Sequence, residues 1–340
     1  MRPDSGWNVA VVGATGAVGE ALVEILEERH FPVDNLYLLA SQRSAGKRIQ
    51  FRGRSVMVER LDTFDFSKAH IGLFSAGGSV SAEYAPVAAA ADCVVIDNTS
   101  HFRYEDDIPL VVPEVNPERI AQYSNRNIIA NPNCSTIQMV VALKPIHDAV
   151  GIERINVSTY QAVSGAGAGG VRELAGQTAN LLNAKPIECQ VMPVQIAFNA
   201  IPQIDKFQDN GYTREEMKMV WETRKILEDD TIRVNPTCVR IPVFFGHSEA
   251  VHIETRAPLS VSDAITLLAD APGISVSVDD EYPTAVGESA GRDDVFVGRI
   301  RKDISHDCGL NMWIVADNVR KGAALNSVQI AEQLIPYLEG

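Results

Sequence analysis

Val9-Ala10-Val11-Val12 is an uninterrupted apolar run that breaks into Gly13-Ala14-Thr15-Gly16-Ala17-Val18-Gly19 before Glu20–Glu28 takes up helical spacing. Leu22, Ile25 and Leu26 of that helix fall on one face. A strand that passes straight into an amphipathic helix must lay the helix back over its sheet. Repetition of that order builds a parallel, doubly wound sheet. The order is repeated up to about residue 130. Strand-like runs occur at Leu36–Leu39, Ser55–Val58, Ile71–Ala76 and Cys93–Asp97, with a helical stretch from Ala82 to Ala91 after a Gly77-Gly78 turn. Glycines let the first turn be tight and let backbone approach a pyrophosphate held at the helix N-terminus. The spacing here is GxxGxxG rather than GxGxxG, and such a pattern is weak alone. Its setting between strand and helix makes Gly13, Thr15, Gly16, Ala17, Val18 and Gly19 a candidate dinucleotide loop, although a bare strand–turn–helix would read the same way.

Beyond residue 150 the texture changes. Ile155–Val163, Ala250–Thr255 and Val295–Ile300 alternate apolar and polar side chains, as strands of an antiparallel sheet with one polar face do. Thr213-Arg214-Glu215-Glu216 is a capping box that opens a helix to about Leu227. A last amphipathic stretch, Ala323 to Leu338, is expected to return to the first domain. A chain of 340 residues suits two cores. The expected class is α/β: a Rossmann-type doubly wound parallel sheet plus an α+β domain with a mostly antiparallel sheet. The expected division is 1–132 with 319–340, and 133–318.

Charge and cysteine content narrow the function classes. A formal charge of −14 argues against nucleic acid and anionic membrane surfaces as partners, while leaving room for an anionic small molecule held by a local group of arginines and lysines. The five cysteines, at 93, 134, 189, 238 and 308, are scattered, odd in number and form no CxxC pair. That suits a reducing cytoplasm and predicts no metal site. No apolar run is long enough to span a membrane, and no signal-peptide core opens the chain.

Asn131-Pro132-Asn133-Cys134-Ser135-Thr136 lies between the short apolar run Ile128-Ile129-Ala130 and the helical pattern Ile137–Leu143. A cysteine there starts a helix, where unpaired N–H groups and the helix dipole favour an anion and hence a nucleophilic thiolate. An isolated cysteine is more often a small buried hydrophobe, so its surroundings decide. Arg240-Ile241-Pro242-Val243-Phe244-Phe245-Gly246-His247 supplies an arginine and a histidine a strand-length apart, and Gln161-Ala162-Val163-Ser164-Gly165-Ala166-Gly167-Ala168-Gly169-Gly170 reads as a strand entering a glycine-rich loop and a helix.

Together with Leu39–Lys47, the EExK stretch Glu215–Lys218 and Asp317–Ala324, in this order along the chain from residue 8 to its C-terminus, these segments resemble the aspartate-β-semialdehyde dehydrogenase family. The resemblance implies an NADP-dependent phosphorylating aldehyde dehydrogenase. It would convert L-4-aspartyl phosphate and NADPH to L-aspartate-semialdehyde, NADP⁺ and phosphate through a thioester on Cys134, in lysine, threonine, methionine and diaminopimelate biosynthesis. It assigns His247 as general acid/base, Gln161 as a positioning residue beside Cys134, and Arg240 and Glu215 as binders of the substrate carboxylate and ammonium. Arg103, Lys218 and Asn133 would hold phosphate. Ser164, Gly165 and Asn318 would approach the nicotinamide. The first domain becomes NADP-binding, the second catalytic and dimerising, and the expected assembly a homodimer. Each residue also has a plainer reading: His247 as a satisfied structural histidine (the role chosen for His252), and Glu215 with Lys218 as a surface ion pair.

Cofactor choice is read separately. NAD-selective sites place a carboxylate after the second strand, and here that strand ends Leu38-Leu39-Ala40-Ser41-Gln42-Arg43-Ser44 with none. Ser41, Arg43 and Ser44 suit a 2′-phosphate, which favours NADP. N-acetyl-γ-glutamyl-phosphate reductases share the chemistry but typically carry glycine where Asn133 stands. Glyceraldehyde-3-phosphate dehydrogenases have a different nucleophile motif. A non-catalytic relative would be expected to lack Cys134 or His247.

Overall fold

The computed structural model describes residues 6–339. The chain divides into two compact units, one running to Asn133 and resuming at Ala323, the other Cys134–Gly322.

The first unit is built on β1 (Trp7–Val12), α1 (Ala17–Glu28), β2 (Val33–Ala40), β3 (Arg48–Phe51), β4 (Arg54–Arg60), β5 (Ile71–Phe74), α2 (Gly78–Ala90), β6 (Val94–Asp97) and β7 (Ile128–Ala130). Its seven-stranded sheet has the order β3-β4-β2-β1-β5-β6-β7. Every pairing is parallel except the β3–β4 hairpin. The chain builds outward from β1 to one side and then crosses to β5 on the other. The C-terminal end of β1 is therefore a topological switch point, where an open α/β sheet leaves a crevice. β5 and β6 are buried at every position, which explains their lack of alternation. α2 starts at Gly78, earlier than the expected Ala82, because Gly77 takes φ +100° and so can cap a helix where the sequence suggested only a turn.

The second unit holds α3 (Cys134–Val150), β8 (Ile152–Gln161), α4 (Gly167–Leu182), α5 (Arg214–Leu227), β9 (Arg233–Arg240), β10 (His247–Thr255), α6 (Val261–Ala269), β11 (Ile274–Val276), β12 (Val295–Lys302) and β13 (Gly309–Ala316); α7 (Leu325–Glu339) belongs to the first unit. The sheet order is β11-β12-β13-β10-β8-β9. Its inner pairings are antiparallel and its two outermost, β8–β9 and β11–β12, are parallel. On β10 the alternation sends His247, Glu249, Val251 and Ile253 to the buried side, and half-buried Ala250, His252 and Glu254 to the other.

The capping box on α5 is complete. Thr213 Oγ1 accepts from the Glu216 N–H at 3.3 Å, and Glu216 Oε2 accepts from the Thr213 N–H at 2.7 Å. Glu216 also accepts from the Cys238 N–H at 3.0 Å, which fixes α5 against β9 and so places Glu215 and Lys218 relative to Arg240.

Candidate active site

In the first unit the glycine turn closes on itself. The Gly13 and Ala14 N–H groups both donate to the Leu39 carbonyl, at 2.8 and 3.2 Å, tying the turn to the end of β2. Gly13 has φ +88°, and a Cβ there would stand 3.0 Å from the Ala76 backbone. A Cβ on Gly19 would lie 2.1 Å from the Gly13 carbonyl oxygen, so the last glycine lets α1 pack on the turn. A cavity of about 610 Å³ opens beside it, lined by Gly13, Thr15, Gly16, Ser41, Arg43 and Ser44 among others. Ala17, Val18 and Gly19 form the first turn of α1 instead.

Sequence reasoning missed the cavity's far wall, which includes Asp62, Glu83 and Tyr84. A carboxylate does reach this cleft, after β4 rather than β2, but Arg60 grips Asp62 through two bonds of 3.0 and 2.7 Å. The signal was adjacency: β4 pairs with β2, so their ends share one edge. The cleft fits a dinucleotide: glycines where any side chain would collide, backbone N–H groups at a helix start, and room for a nucleoside.

Arg103 and Asn133 also belong to the first unit, and both are buried. Arg103 Nη2 donates to the Asn98 carbonyl at 2.8 Å. The residues before Asn133 are held by an amide chain: Asn326 donates to Asn131 at 2.7 Å, and Asn131 to Asn98 at 2.9 Å.

The second unit gathers Gln161, Ser164, Gly165, Glu215, Lys218, Arg240, His247 and Asn318 by hydrogen bonds and close packing. The hub is the backbone of Ala162, just past β8, which sequence reasoning did not single out. Its N–H donates to His247 Nδ1 at 3.0 Å, and its carbonyl accepts from Arg240 Nη1 at 2.6 Å. Gly165 stands over both side chains, since a Cβ there would be 2.8 Å from Arg240 Nη1 and 3.5 Å from His247 Nε2. Gln161 Nε2 donates to Glu215 Oε1 at 3.2 Å while its own Oε1 accepts from Thr159 at 2.9 Å, which fixes the amide's orientation. Lys218 Nζ reaches Glu215 Oε2 at 2.8 Å and Asp205 at 3.2 Å. Its side chain is only 13% exposed and that of Glu215 7%, so this is no solvated surface pair. Asn318 Oδ1 accepts from the Gly246 N–H at 2.9 Å, and its Nδ2 donates to Ser164 Oγ at 3.0 Å.

Cys134 is the first residue of α3 and partly exposed, and a Cβ on Gly322 would approach its Cβ to 2.8 Å. One turn on, buried Gln138 donates to the His247 carbonyl at 3.4 Å, which links the helix of Cys134 to the strand of His247. Burial draws the Arg240 guanidinium below its ordinary value, with Glu215 and then Cys134 acting the other way. The imidazole of His247 is pushed down to about 3 by burial and by Arg240, against the opposing pull of Glu215. It is neutral at physiological pH. Burial also pushes the Cys93 thiol up to about 12, which keeps it inert, and holds Cys238 well above its usual value. His252 lies on the opposite face of β10, bonded to Asn156 at 3.2 Å and Asp303 at 2.7 Å.

A glycine-lined, dinucleotide-type cleft in one unit and, in the other, a cysteine opening a helix and a buried His–Arg pair match the layout of a nicotinamide-dependent aldehyde dehydrogenase. Two family models match the chain accordingly: the semialdehyde dehydrogenase NAD binding domain over residues 8–123, and the semialdehyde dehydrogenase dimerisation domain over residues 143–321. Aspartate-semialdehyde dehydrogenase 2 of Vibrio cholerae is 65% identical over 97% of this chain and 98% of its own length. The crystal structure of aspartate semialdehyde dehydrogenase II from the same organism, complexed with ASA, superposes with a TM-score of 0.97 at 64% identity, covering 97% of this chain and 98% of that one. A more distant structure, the Candida albicans enzyme with NADP, gives a TM-score of 0.76 at 26% identity over 97% and 99%. The chain belongs to the aspartate-semialdehyde dehydrogenase family. Among the described residues no helix is long and apolar enough to cross a membrane, and no cluster of three or more His, Cys, Asp or Glu is placed to hold a metal ion.

Proposed function

We propose that this chain is the NADP-dependent enzyme that reduces L-4-aspartyl phosphate to L-aspartate-4-semialdehyde with release of phosphate, and that it works as a cytoplasmic homodimer. The family gives the reaction class and a nicotinamide cofactor. The observation that carries the site assignment is the double use of Ala162, whose one peptide unit orients both Arg240 and His247. In this reading 1–132 with 319–340 binds NADP, and 133–318 is the catalytic and dimerisation domain.

Cys134 attacks the acyl carbon, the C–O bond to phosphate breaks, and a thioester remains on the sulfur. The bound nicotinamide cofactor supplies the hydride that reduces this acyl group. Arg240 holds the substrate α-carboxylate with its guanidinium fork and Glu215 meets the ammonium. Lys218 balances Glu215 and, with Arg103 and Asn133, receives phosphate. Gln161 has its amide fixed by Thr159 and Glu215 and positions the acyl group. His247 is the general acid/base at the reacting carbon. Gly13, Thr15, Gly16, Ala17, Val18 and Gly19 cradle the pyrophosphate, and Ser41, Arg43 and Ser44 read the 2′-phosphate. Ser164, Gly165 and Asn318 line the nicotinamide end.

The test is phosphate-dependent reduction of NADP⁺ by the purified protein, with L-aspartate-semialdehyde set against N-acetylglutamate-semialdehyde. Turnover of the first by at least about a hundredfold in kcat/KM is expected, because a site built around charged-group contacts rejects a blocked amine. Equal rates, or rates independent of phosphate, would overturn the reading.

A further inference from the structure

Glu249 stands on β10 two residues after His247 and faces the same buried side of the sheet, the side against which α3 packs. It is fully buried, and neither of its carboxyl oxygens has a hydrogen-bond partner. Its row across the sheet supplies none. Register sets it between Ile314 of β13 and Thr159 of β8, with Cys238 of β9 beyond Thr159. The Thr159 hydroxyl already donates to Gln161 at 2.9 Å, and the Cys238 thiol is held neutral, by burial first of all. Among the described residues no cation pairs with Glu249. An ionised carboxylate is costly in such a place, since it would be buried with neither a counter-charge nor a full set of donors. Burial accordingly holds the carboxyl well above its ordinary range, with only the Gln138 amide acting the other way.

Gln138, one turn into α3 from Cys134, supplies the second half of the observation. Its Nε2 donates to the His247 carbonyl at 3.4 Å, and its Oε1 is buried without a partner. A carbonyl only accepts, so the amide keeps its nitrogen on that side. The Gln138 and Glu249 side chains are close enough to act on one another. Three buried acceptor oxygens, two on Glu249 and one on Gln138, thus meet with no hydrogen between them. One proton satisfies all three. As an acid, Glu249 donates its O–H to Gln138 Oε1 and accepts one Nε2 hydrogen on its other oxygen. The second Nε2 hydrogen stays on the His247 carbonyl.

We propose that Glu249 is a positioning residue of the active site: as an un-ionised acid it locks the Gln138 amide, and through that amide it ties the peptide of His247 to the helix that Cys134 opens. It touches no reacting atom. β10 and α3 carry the two residues between which the chemistry is proposed to run, and the acid–amide pair sets how they lie against each other. An apolar side chain at 249 would fill the space but leave the Gln138 oxygen without a donor and the amide free to turn. A carboxylate would set its charge against that same oxygen. The role rests on the proposed reading of Cys134 and His247 as the reacting pair.

The state of the acid is tested by ¹³C NMR of the full-length enzyme labelled at the glutamate side-chain carboxyl. One resonance should keep the shift of a protonated acid throughout pH 6–8, where ordinary glutamates are ionised, and should be missing from Glu249→Gln. A carboxylate at this position would overturn the proposal. The role is tested by steady-state kinetics. Glu249→Gln keeps an uncharged donor and acceptor, and should hold kcat within about threefold of wild type. Glu249→Leu fills the space without a donor and should lower kcat by about 10- to 100-fold, the scale of a slightly misplaced reacting group, with KM for the semialdehyde little changed. Gln138→Leu breaks the same tie, so the double variant should lose no more than the larger single one. A leucine variant with wild-type kcat, or a Glu249→Gln enzyme as impaired as Glu249→Leu, would overturn the role. If the leucine variants do not fold, the carboxyl resonance and Glu249→Gln decide, and a loss of kcat beyond about tenfold in Glu249→Gln counts against the proposal. Failure of the reaction assignment looks different: a wild-type protein that reduced no NADP⁺ with aspartate-semialdehyde would remove that reading while the carboxyl resonance still reported the acid–amide pair.

Discussion

Around Gly13 the first unit works with backbone. A glycine turn, the start of α1 and small hydroxyl side chains wall an open cavity, with Arg43 as the cationic side chain offered by the loop after β2 and with Asp62 already paired to Arg60. Around Ala162 the second unit works with buried side chains. His247 is fully buried, and Arg240, Gln161 and Glu215 nearly so, with charges held by one another and by a peptide unit. The first arrangement suits a large, charged, flexible molecule at little desolvation cost, because backbone N–H groups are available to hold it. The second carries a heavy desolvation cost, as suits a site proposed to meet charge developing on a small substrate with groups already oriented away from water.

The contrast predicts unequal sensitivity. Removing His247 with His247→Ala should lower kcat by roughly 10²–10⁴, the scale for a lost proton-transfer group, with a modest change in KM. Arg240→Lys keeps the charge but loses the fork, and should act mainly through KM for the semialdehyde. Steady-state kinetics with both variants separate the two, and an Arg240→Lys enzyme with unchanged kcat/KM would remove Arg240 from the buried cluster. The cleft should respond less. Arg43→Ala should weaken NADP by about 10- to 100-fold, equivalent to about 1.5–3 kcal/mol for a hydrogen bond to a charged group, and leave weak NAD use nearly unchanged. Equal losses for both cofactors would show that Arg43 supports the loop and does not read the 2′-phosphate.

The same contrast explains what could be read from sequence. The cleft was legible because its determinants are local: Gly13 to Gly19 within one turn, and Ser41 to Ser44 at the end of one strand. The cluster was named through its motifs, yet its geometry was not foreseeable. Ala162 and His247 are 85 residues apart, Gln161 and Glu215 54, and a pairing over such spans is set by sheet register, which single segments do not reveal. Ala162 escaped notice because its part is played by its peptide group, and alanine advertises nothing. Several elements were also unread. β9 contains Pro236, which a central strand would exclude and an edge strand tolerates, and β9 is an edge. β13, Gly309-Leu310-Asn311-Met312-Trp313-Ile314-Val315-Ala316, is nearly all apolar because it is a central strand, and an apolar run of that length does not distinguish strand from helix. Glu249 is the sharpest surprise. It sits fully buried two residues after His247, and burial holds its carboxyl well above the ordinary carboxylate range despite the nearby Gln138 amide. Nothing in the local sequence marks it as an interior residue beyond the period-two alternation of β10.

The central claim is that the cysteine opening α3 carries the acyl group while the buried cluster binds and positions the substrate around it. Mixing enzyme, L-aspartate-semialdehyde and NADP⁺ without phosphate tests it most directly. The account predicts a single burst of NADPH, about one per active site, followed by near arrest, and an aspartyl adduct on the peptide containing Cys134 by mass spectrometry of the acid-quenched protein. Cys134→Ala should give neither. A wild-type enzyme that turns over steadily without phosphate and without an adduct, or one whose adduct maps to another residue, would contradict the account.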